Sequence, residues 1–541
     1  MLRSGIKLHK IGVKFISTNP SKRTSEAISI SKKDDYYKNL GDSGEKDLLK
    51  PPRWHEALPY DSIPGPKPLP LIGKMWRFMP YIGQFSNMPQ KDIYQTLKNE
   101  YGNIVMLKGI PGRNPMVLVF DVNDMETALR NEGAFPIRTI LADSLGYYRM
   151  VVRKDVFGEV GGVISVHGEK WFKVRSVVNP ILMQPRTIQQ YLGNMDKVAH
   201  ELVDNIRYFS KQNEKNEMPD DFQGELYKWA LESVGVVALD RQLGCLDLTA
   251  PKDSEPQQFI SNVNEFFDLM YRLDYLPPIW KFIQTPTFKR YVKVLDIITD
   301  TTRKYVEESL NRSVAENIPD DQLSVTQRLA KMDKKIAVVM GIDMLIAGID
   351  TTGKTLATLL YFLAKNPDKQ QCLREEVLKN LPEKNSPVTK EALNKSPYLK
   401  AAIKESMRIA PIAIANARTT IKDLVLGGYQ VPKGTDVVTL HLLSSNSDEI
   451  FKDADKFIPE RWLRTTEDQY SSKNVHPFAY MPFGFGPRSC IGKRLANLEL
   501  EVATTRIIRN FELSWHHEDM KFSGNLMYGI TKPLKLKVKE L

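Results

Sequence analysis

The sequence predicts a mainly α-helical fold with small β-sheets, organised as one large domain. Most of residues 168–410 has the apolar spacing of helices. Short runs with β character stand on either side of that stretch, at 103–108, 115–120 and 418–440. No second linker interrupts the chain after residue 70, and no internal repeat is found. A single helical domain with small sheets is therefore expected.

The first 25 residues form a basic leader. They contain six Lys or Arg residues, six Ser or Thr residues and no acid. On a helix, Arg3, Lys7, Lys10 and Lys14 fall on one side. A basic, Ser-rich, acid-poor leader without an apolar core is typical of a mitochondrial transit peptide, which is assigned to residues 1–25. A solvated basic tail is the alternative.

A linker and a stiff entry segment follow the leader. Residues 26–62 are polar and are assigned to the linker. Four prolines within residues 63–70 then extend the chain toward a folded body. The main domain is assigned to residues 63–541. It is expected to contain a turn at Pro111-Gly112, a helix over 491–511 and strand character in the tail 520–538.

The composition excludes several classes of protein. Hydrophobic residues make up 42% and charged residues 26% of the 541 residues, which is unlike a disordered chain or a collagen. Apolar runs are too short for a clear membrane-spanning helix. Cys245, Cys372 and Cys490 form no CxxC pair, which argues against a disulfide scaffold or a cysteine-rich zinc site. The net charge of +11 suits a nucleic acid, an anionic membrane or an acidic protein.

One cysteine lies in a glycine-rich loop. The sequence PFGFGPRSCIG, at 482–492, places Cys490 near three glycines and before an apolar helix. Backbone N–H groups and a helix N-terminus favour a thiolate there. Arg488 offers a fork for a carboxylate. A lone cysteine is usually an inert core residue, but this setting fits an axial ligand to haem iron, with Arg488 on a haem propionate.

This loop resembles the haem-binding signature FxxGxRxCxG of cytochromes P-450. All five fixed positions match: Phe483, Gly486, Arg488, Cys490 and Gly492. The resemblance extends from about residue 60 to the C-terminus through further motifs in the family's order. It implies the cytochrome P-450 fold, haem b as the cofactor, these five residues as its binding loop and Cys490 as the axial ligand of its iron.

Two further motifs concern a buried ion network. Glu405 and Arg408 resemble the family's ExxR, and residues 457–462 resemble its PERF-type segment, which includes Arg461. The resemblance implies that Glu405, Arg408 and Arg461 form an ion network behind the haem. Glu and Arg at i,i+3 share a helix face, and a third charge completes hydrogen bonding that a buried pair leaves unfinished. For ExxR alone, an ordinary exposed pair is the alternative.

Residues 347–352 resemble the oxygen-activation motif AGx(D/E)T(T/S), inside a helix expected over 335–364. Gly348 is expected to let a ligand or haem approach the backbone. Thr351 is expected to bond back to a carbonyl. The resemblance implies that Asp350 and Thr351 are catalytic and relay protons to dioxygen. A helix kink or an accidental polar cluster is the alternative.

Three more residues resemble contacts to the haem propionates. Trp171 and Arg175 form the family's WxxxR, and at i,i+4 they share a helix face. Arg418 matches a contact found after the helix that carries ExxR. The alternative for Trp171 and Arg175 is a surface helix with a packed tryptophan.

The basic leader, in place of a long apolar anchor, resembles the mitochondrial class of animal P-450s. That class takes electrons from NADPH through a ferredoxin reductase and a small acidic [2Fe–2S] ferredoxin. The resemblance implies that Lys400 and Lys404 bind the ferredoxin, with Arg494 as a further candidate. Solvated lysines are the alternative. No nucleic-acid motif is present, so the net charge is attributed to the acidic partner.

Residues 255–313 resemble the F–G region of these enzymes. The connector 275–282 is expected to touch the matrix face of the mitochondrial inner membrane, with Trp280 and Lys281 at headgroup level. A packed turn between helices is the alternative. Residues 178–185 resemble the insect branch called family twelve, which is associated with foreign compounds, while its relatives act on steroid hormones. The segments expected to set specificity are 133–165, 266–284, the surroundings of Ala347, 411–417 and 523–531.

The function favoured is a haem-thiolate monooxygenase that inserts one atom of dioxygen into a small apolar xenobiotic, steroid or terpenoid. A haem-thiolate isomerase or dehydratase commonly departs from the acid–alcohol motif, which is intact here. A non-catalytic haem-binding protein leaves that motif unexplained. A hydrolase using Cys490 and His476 is a remote fourth reading, because nothing orients the histidine.

Overall fold

The computed structural model describes residues 50–67, 77, 83–86, 88–108, 113–139, 142–251, 253–275, 278–319, 322–524 and 526–541. The leader, most of the linker, the turn at Pro111-Gly112 and residues 276–277 of the connector lie outside them. One compact unit spans Arg53–Leu541. Residues 53–62 belong to it, although the sequence assigned them to the linker, because Leu58 exchanges backbone hydrogen bonds with Gly428 and Gln430.

Helices dominate this unit, which confirms the predicted fold class. A short π-helical turn, Tyr148–Val152, follows the third helix. The described helices are α1 (Gln90–Tyr101), α2 (Val122–Arg130), α3 (Asp143–Tyr147), α4 (Lys154–Phe157), α5 (Gly168–Leu182), α6 (Pro185–Gln189), α7 (Leu192–Ser210), α8 (Phe222–Ala238), α9 (Glu255–Tyr275), α10 (Pro286–Ala315), α11 (Val325–Met332), α12 (Lys334–Lys365), α13 (Pro367–Asn380), α14 (Lys390–Asn394), α15 (Pro397–Ile409), α16 (His441–Ser445) and α17 (Lys493–Asn510).

The strands form one four-stranded sheet and three two-stranded ribbons in the described residues. The larger sheet has the order β1-β2-β6-β3, in which only β2 and β6 run parallel. The ribbons pair β4 with β5, β7 with β10 and β8 with β9. The strands are β1 (Ile104–Leu107), β2 (Met116–Val119), β3 (Asn416–Thr419), β4 (Leu424–Leu426), β5 (Tyr429–Val431), β6 (Asp436–Thr439), β7 (Phe511–Ser514), β8 (Phe522–Ser523), β9 (Gly529–Ile530) and β10 (Lys537–Glu540).

Helix α12 runs through the main hydrophobic core and packs closely on α8. The Asp333 side chain caps it by accepting a hydrogen bond from the Lys335 N–H at 2.8 Å. A Cβ atom at Gly348 would lie 2.9 Å from the Val234 side chain, and one at Gly353 would lie 2.6 Å from the Tyr227 ring. These two glycines therefore allow α8 and α12 to approach each other.

Helix α12 is also the one helix, among the described residues, that is long and apolar enough to cross a membrane. The protein buries 78% of its most apolar window, as it does for a core helix. No clear spanning segment was predicted here, because Asp343, Asp350 and Lys354 interrupt the apolar run of this helix. The helix occupies the core, where these three charges find protein partners.

Candidate active site

The loop that carries Cys490 ends where α17 begins. Gly484 and Gly486 both have φ of 71°, in the left-handed region that favours glycine. The Cys490 N–H donates to the Phe483 carbonyl at 2.9 Å, which folds the loop back on itself. The Cys490 side chain is exposed, although the protein atoms around it are dense. The loop therefore presents one accessible sulfur on a fixed backbone.

The pKa of the free Cys490 thiol is raised, chiefly because the atoms around it exclude water. The Gly492 N–H, Arg175 and Lys493 act in the opposite direction. The sequence predicted that backbone N–H groups and the helix N-terminus would favour the thiolate. They do act that way, but desolvation by the surrounding protein atoms outweighs them in the free thiol.

Two predicted residues of α5 lie beside this loop. Arg175 donates to the Ser489 carbonyl at 2.8 Å. The Arg488 guanidinium lies over the Trp171 ring, 4.5 Å from its centre. Arg488 also donates to the carbonyls of Val163 and Val166. The structure therefore brings Trp171, Arg175 and Arg488 together, as the predicted propionate site requires.

The third predicted arginine, Arg418, comes with two residues that the sequence did not indicate. Arg418 donates to the Phe485 carbonyl at 3.2 Å and forms a buried ion pair with Glu132. Arg138 donates to the Ile164 carbonyl at 2.9 Å and lies within electrostatic range of Arg418. Arg138 and Glu132 stand upstream of any motif, and only the fold brings them to the loop.

Four arginines, two of them buried and two partly buried, thus lie near one another, and Glu132 is the carboxylate paired with one of them. Burial, followed by the neighbouring guanidinium groups, lowers the pKa of Arg488 to about 8, and burial together with Arg418 lowers that of Arg138 to about 10. The same causes, with Arg488 foremost among the charges, lower the pKa of His167 to about 4. This excess of positive charge calls for an anion.

Unpaired donors in the cluster point to the same conclusion. Within the described residues, the Nε atoms of Arg138, Arg175 and Arg488 and the Nε1 atom of Trp171 are buried without a hydrogen-bond partner. Such donors are costly to bury. A ligand with two carboxylates beside an accessible cysteine sulfur would satisfy the charge and the donors. The residues present therefore fit haem, with its two propionates.

The predicted ion network of Glu405, Arg408 and Arg461 forms, and all three side chains are fully buried. Glu405 accepts hydrogen bonds from Arg408 Nε at 3.0 Å and Nη2 at 2.8 Å, and from Arg461 Nε at 3.1 Å. The Trp462 indole donates to the same carboxylate at 2.9 Å. This tryptophan stands where the family's PERF-type segment has phenylalanine, so it adds a donor. Arg408 also donates to the carbonyls of Ser445, Ala454 and Lys456.

On α12, Ala347 and Thr351 lie one turn apart on an accessible stripe. Ala347 is exposed on a helix that is otherwise mostly buried. The Thr351 hydroxyl donates to the Ala347 carbonyl at 2.5 Å, which is the back-bond that the sequence predicts. The helix continues unbroken through this point, from Lys334 to Lys365.

The expectation for Gly348 needs correction, and Asp350 has a partner that the motif does not indicate. Gly348 faces Val234 of α8, so its missing side chain serves helix packing rather than the approach of a ligand. Asp350 is buried and pairs with Lys354 at 2.9 Å. Among the described contacts, no hydrogen bond joins Asp350 to Thr351. The order of residues along a helix does not show which side chain meets a neighbouring helix, and α8 occupies this face.

A buried carboxyl that the sequence did not indicate contacts α12 from α17. Glu499 accepts a hydrogen bond from Thr352 at 3.3 Å, and its other oxygen has no partner in the part of the chain that the structure describes. Burial raises the pKa of Glu499 to about 8. Glu499 is therefore mostly protonated at neutral pH. No motif covers it.

The predicted ferredoxin residues lie at the surface near the same loop. Lys404 is exposed, and its pKa is lowered by desolvation and by the positive charges of Lys493, Lys400 and Arg464. Lys400 lies near the carboxyls of Glu501 and Glu376; burial raises the pKa of both, and Lys400 partly offsets that rise. Arg494 is exposed at the start of α17. Lys493 and Arg464 were not indicated by the sequence.

The connector between α9 and α10 differs from its prediction. Trp280 is buried, stacks on Phe288 with ring centres 5.1 Å apart and donates to the Leu273 carbonyl at 2.9 Å. Lys281 pairs with Asp143 at 2.5 Å. Trp280 is therefore a packing residue and does not reach out of the protein. The exposed apolar side chains are instead Ile279, Phe282 and Ile283, at 57%, 86% and 66% exposure.

Known proteins are similar to this chain over most of its length. A family model described as Cytochrome P450 matches residues 63–539. "Cytochrome P450 CYP12A2" of Musca domestica is 41% identical over 504 residues, which cover 90% of this chain and 91% of that protein. "Probable cytochrome P450 12a5, mitochondrial" of Drosophila melanogaster is 40% identical over 503 residues, which cover 91% of this chain and 93% of that protein.

These similarities confirm the predicted fold, cofactor class and enzyme class. They also confirm the resemblance to the insect branch called family twelve, since both relatives carry that number in their names. The chain belongs to the cytochrome P450 family of haem-thiolate monooxygenases.

Proposed function

We propose that this protein is a mitochondrial monooxygenase of a small apolar xenobiotic, steroid or terpenoid. Its electrons come from NADPH through a ferredoxin reductase and a [2Fe–2S] ferredoxin. The observation that carries the haem site is the accessible Cys490 sulfur beside four buried or partly buried arginines, three of which have an Nε atom without a partner in the described residues. Mitochondrial placement is supported by the basic leader and by the names of relatives such as "Probable cytochrome P450 301a1, mitochondrial" of Drosophila melanogaster.

Each group around the loop has one task in this proposal. Haem b with a thiolate ligand supplies the activation of dioxygen when it is bound. Cys490 holds its iron, and Arg138, Arg175, Arg418 and Arg488 hold its propionates. The Phe483 carbonyl fixes the backbone of Cys490 through a hydrogen bond. These contacts orient the cofactor on the protein before any chemistry takes place.

The proton steps fall to the accessible stripe of α12. The Thr351 Oγ1 atom holds a proton that it donates to Ala347, and it can donate elsewhere only when it turns away from that carbonyl. Asp350 can take up a proton and pass it on only when its carboxylate leaves Lys354, because it is buried and paired at 2.9 Å. The relay thus requires side-chain motion at both residues.

The test of the haem site is the optical spectrum of the reduced, carbon-monoxide-bound protein. We expect the red-shifted Soret band of a thiolate ligand, and we expect Cys490→Ser to lose it together with all turnover, because an alcohol is a poor ligand. Cys372→Ser is the matched control, since Cys372 is exposed on α13. A normal spectrum in Cys490→Ser would refute the assignment.

The reaction type is tested with the electron source. Product that depends on NADPH, reductase and ferredoxin supports a monooxygenase. Product formed from a preformed peroxide without reductant, and none with the reductant system, would indicate an isomerase or dehydratase. The substrate class is tested by Soret shifts across a panel of sterols, terpenoids and insecticides, in which only binders displace the Soret band.

The ferredoxin site is proposed at the basic surface formed by Lys400, Lys404, Lys493 and Arg464. Among these, Lys404 lies over the Trp462 ring, and the charged groups that shift its pKa are all cations, so its charge is available to an acidic partner. Lys400 lies beside two carboxyls, which reduce its attraction. The surface lies near Cys490, since Lys493 is within electrostatic range of that thiol. An electron donor bound there would lie near the residue that would hold the haem iron.

The structure therefore separates two lysines that the sequence treated alike. Lys404→Glu is expected to weaken ferredoxin-driven turnover about 10-fold, since exposed pairs contribute up to about 1 kcal/mol and repulsion adds to this loss. Lys400→Glu is expected to have a smaller effect. Lys197→Glu, an exposed lysine on α7, is the control.

Peroxide-driven turnover bypasses the ferredoxin and shows whether each variant is intact. Normal peroxide-driven turnover with weakened, less salt-sensitive ferredoxin turnover supports the site. If both activities fall together, Lys404 has a structural role. If neither changes, the ferredoxin binds elsewhere, and the exposed Arg494 becomes the next candidate.

Membrane contact is proposed through the exposed apolar connector. Ile279, Phe282 and Ile283 are exposed residues close in sequence to Trp280, whose ring lies 5.4 Å from that of Tyr147 of α3. Phe282→Asp with Ile283→Asp is expected to reduce flotation with phospholipid vesicles. Val314→Asp is the control, because Val314 is an exposed apolar residue on α10. Equal flotation of all variants would exclude the connector as the contact to the inner membrane.

A further inference from the structure

A fully buried ion pair lies outside the residues assigned so far. Arg149 and Asp343 have 0% and 1% of their side chains exposed, and Arg149 Nη2 lies 2.6 Å from Asp343 Oδ1. Arg149 belongs to the π-helical turn and Asp343 to α12. Buried ion pairs contribute little net stability, because desolvation offsets their attraction. The contacts around this pair indicate what else it does.

The 161–167 loop is folded around this ion pair. Arg149 Nη1 donates to the Gly161 carbonyl at 2.8 Å, and Asp343 Oδ2 accepts from the Val163 N–H at 2.9 Å. Gly162 has φ of 80°, and a Cβ atom there would lie 2.5 Å from the Asp343 carboxylate. Only glycine fits between the loop and the pair. The pair therefore fixes the path of the loop.

The other side of the 161–167 loop holds Arg488. The Val163 carbonyl accepts from Arg488 Nη1 at 3.1 Å, and the Val166 carbonyl accepts from Arg488 Nη2. Val163 thus bonds to Asp343 through its N–H and to Arg488 through its carbonyl. One residue of the loop connects α12 to the arginine assigned to a haem propionate.

We propose that Arg149 and Asp343 are positioning residues that hold the 161–167 loop so that its carbonyls orient Arg488 toward a haem propionate. The proposal rests on the assignment of Arg488 to haem. With two of its N–H groups fixed by Val163 and Val166, the Arg488 Nε–H is left for a ligand, in agreement with its lack of a partner in the described residues. A slack loop would leave the guanidinium free to rotate.

The experiment measures haem release from the holoenzyme to apomyoglobin, together with the propionate bending band in resonance Raman spectra. Asp343→Asn is expected to speed haem release about 10- to 100-fold, because the loss of a group that orients a ligand typically has an effect of this size. It is also expected to shift the propionate bending band. The double variant Arg149→Gln with Asp343→Asn leaves no unpaired charge, so it tests the same point if the single variant fails to fold.

Asp196→Asn is the matched control. Asp196 and Arg506 form a buried pair at 2.6 Å, and Arg506 also holds a loop through the carbonyls of Lys384 and Ser386. No described contact connects that pair to Arg488. We expect Asp196→Asn to lower thermal stability without shifting the propionate band. Equal effects of the two variants on haem release would overturn the proposal, because they would reflect general loosening.

A double-mutant cycle with Arg488→Ala shows whether Asp343 acts through Arg488. We expect Asp343→Asn to have no further effect on haem release once Arg488 is alanine. Fully additive effects, or haem release at the wild-type rate in Asp343→Asn, would overturn the proposal. If Arg488→Ala alone leaves haem release unchanged, the assignment of Arg488 to haem fails first, and the positioning role fails with it.

Discussion

Two groups of arginines, one around Glu405 and one around Arg488, differ in how far the protein satisfies their N–H groups. In the network around Glu405, all five N–H groups of Arg408 donate to protein acceptors, and the carboxylate accepts five hydrogen bonds. In the cluster around Arg488, three Nε atoms and an indole N–H lack a partner within the described residues. The first group is nearly complete without a ligand, and the second is not.

This difference separates a structural role from a binding role. A buried charge whose hydrogen bonds are filled by protein holds segments together, here α15 and the segments at 453–462. A buried charge with unpaired donors and a lowered pKa, such as Arg488, is stabilised only when an anion arrives. We therefore expect substitutions in the first group chiefly to lower thermal stability, and substitutions in the second group chiefly to weaken haem binding.

The largest effect is expected from Glu405→Gln. Removing the only carboxylate leaves Arg408 and Arg461 buried without their counter-charge, and breaking a buried pair in this way costs about 3–5 kcal/mol. We expect the variant to unfold well below the wild-type temperature and to retain little haem. Thermal unfolding followed by circular dichroism measures this.

The control for Glu405 is a pair with the same chemistry at the surface. Asp268→Asn breaks the i,i+4 pair with Arg272, in which both side chains are about half exposed, at 48% and 57%. Exposed pairs contribute at most about 1 kcal/mol, so its unfolding temperature should be almost unchanged. Similar losses in the two variants would contradict the structural role of the network.

A smaller and different effect is expected from Arg488→Ala. Removing one cation from a group of four relieves repulsion, so the loss of unfolding free energy should be well below that of Glu405→Gln. Haem release should instead become about 10- to 100-fold faster, because a propionate loses its donor. Release to apomyoglobin and thermal unfolding, measured on the same sample, distinguish the two. A large drop in stability with unchanged release would reverse the comparison.

The sequence predicted the first group better than the second. Glu405 and Arg408 are three positions apart on one helix, and Arg461 follows in a motif of fixed order, so their meeting follows from local geometry and from the family pattern. Arg138 and Glu132 reach the loop only through the tertiary fold, and no spacing in the sequence indicates them. Long-range contacts of this kind are set by packing.

The helix α12 shows the same limit within a single motif. Its bounds were predicted to within one residue at each end. The hydrogen bond from the Thr351 hydroxyl to the Ala347 carbonyl was also predicted. The neighbours of Gly348 and Asp350 were not predicted, because they depend on α8 and on Lys354. A helical pattern gives the spacing of side chains, whereas the neighbour that covers each face is a property of the whole domain.

Thr351→Ala tests whether a group with its hydrogen bond filled can still serve the reaction. Its hydroxyl donates to the Ala347 carbonyl, so Thr351 resembles the Glu405 network in having its hydrogen bond filled by the protein. We expect stability to change by less than about 1 kcal/mol, since such back-bonds contribute little to a helix. NADPH consumption should continue while peroxide replaces much of the product, because protons are misdirected. Full coupling in the variant would place the relay elsewhere.

The smallest effect concerns His167. It reports most directly on the positive charge of the cluster around Arg488. Burial and the neighbouring Arg488 and Arg138 lower its pKa to about 4. Between pH 4 and the ordinary value near 6.5, the unfolded chain binds more protons than the folded one. Stability from this group is therefore lost as the pH falls through that window, by at most about 1.4 kcal/mol per pH unit. Arg488→Gln should raise the pKa of His167, because it removes the larger of the two positive charges that lower this pKa.

His441 is the internal control: burial lowers its pKa to about 4 as well, but no arginine contributes to that shift. Deuterium exchange at the imidazole C2 atoms, followed by mass spectrometry of the holoenzyme, gives both pKa values in one experiment. An upward shift at His167 alone supports an electrostatic cluster that awaits an anion, whereas equal shifts at both histidines would mean that the substitution had loosened the fold.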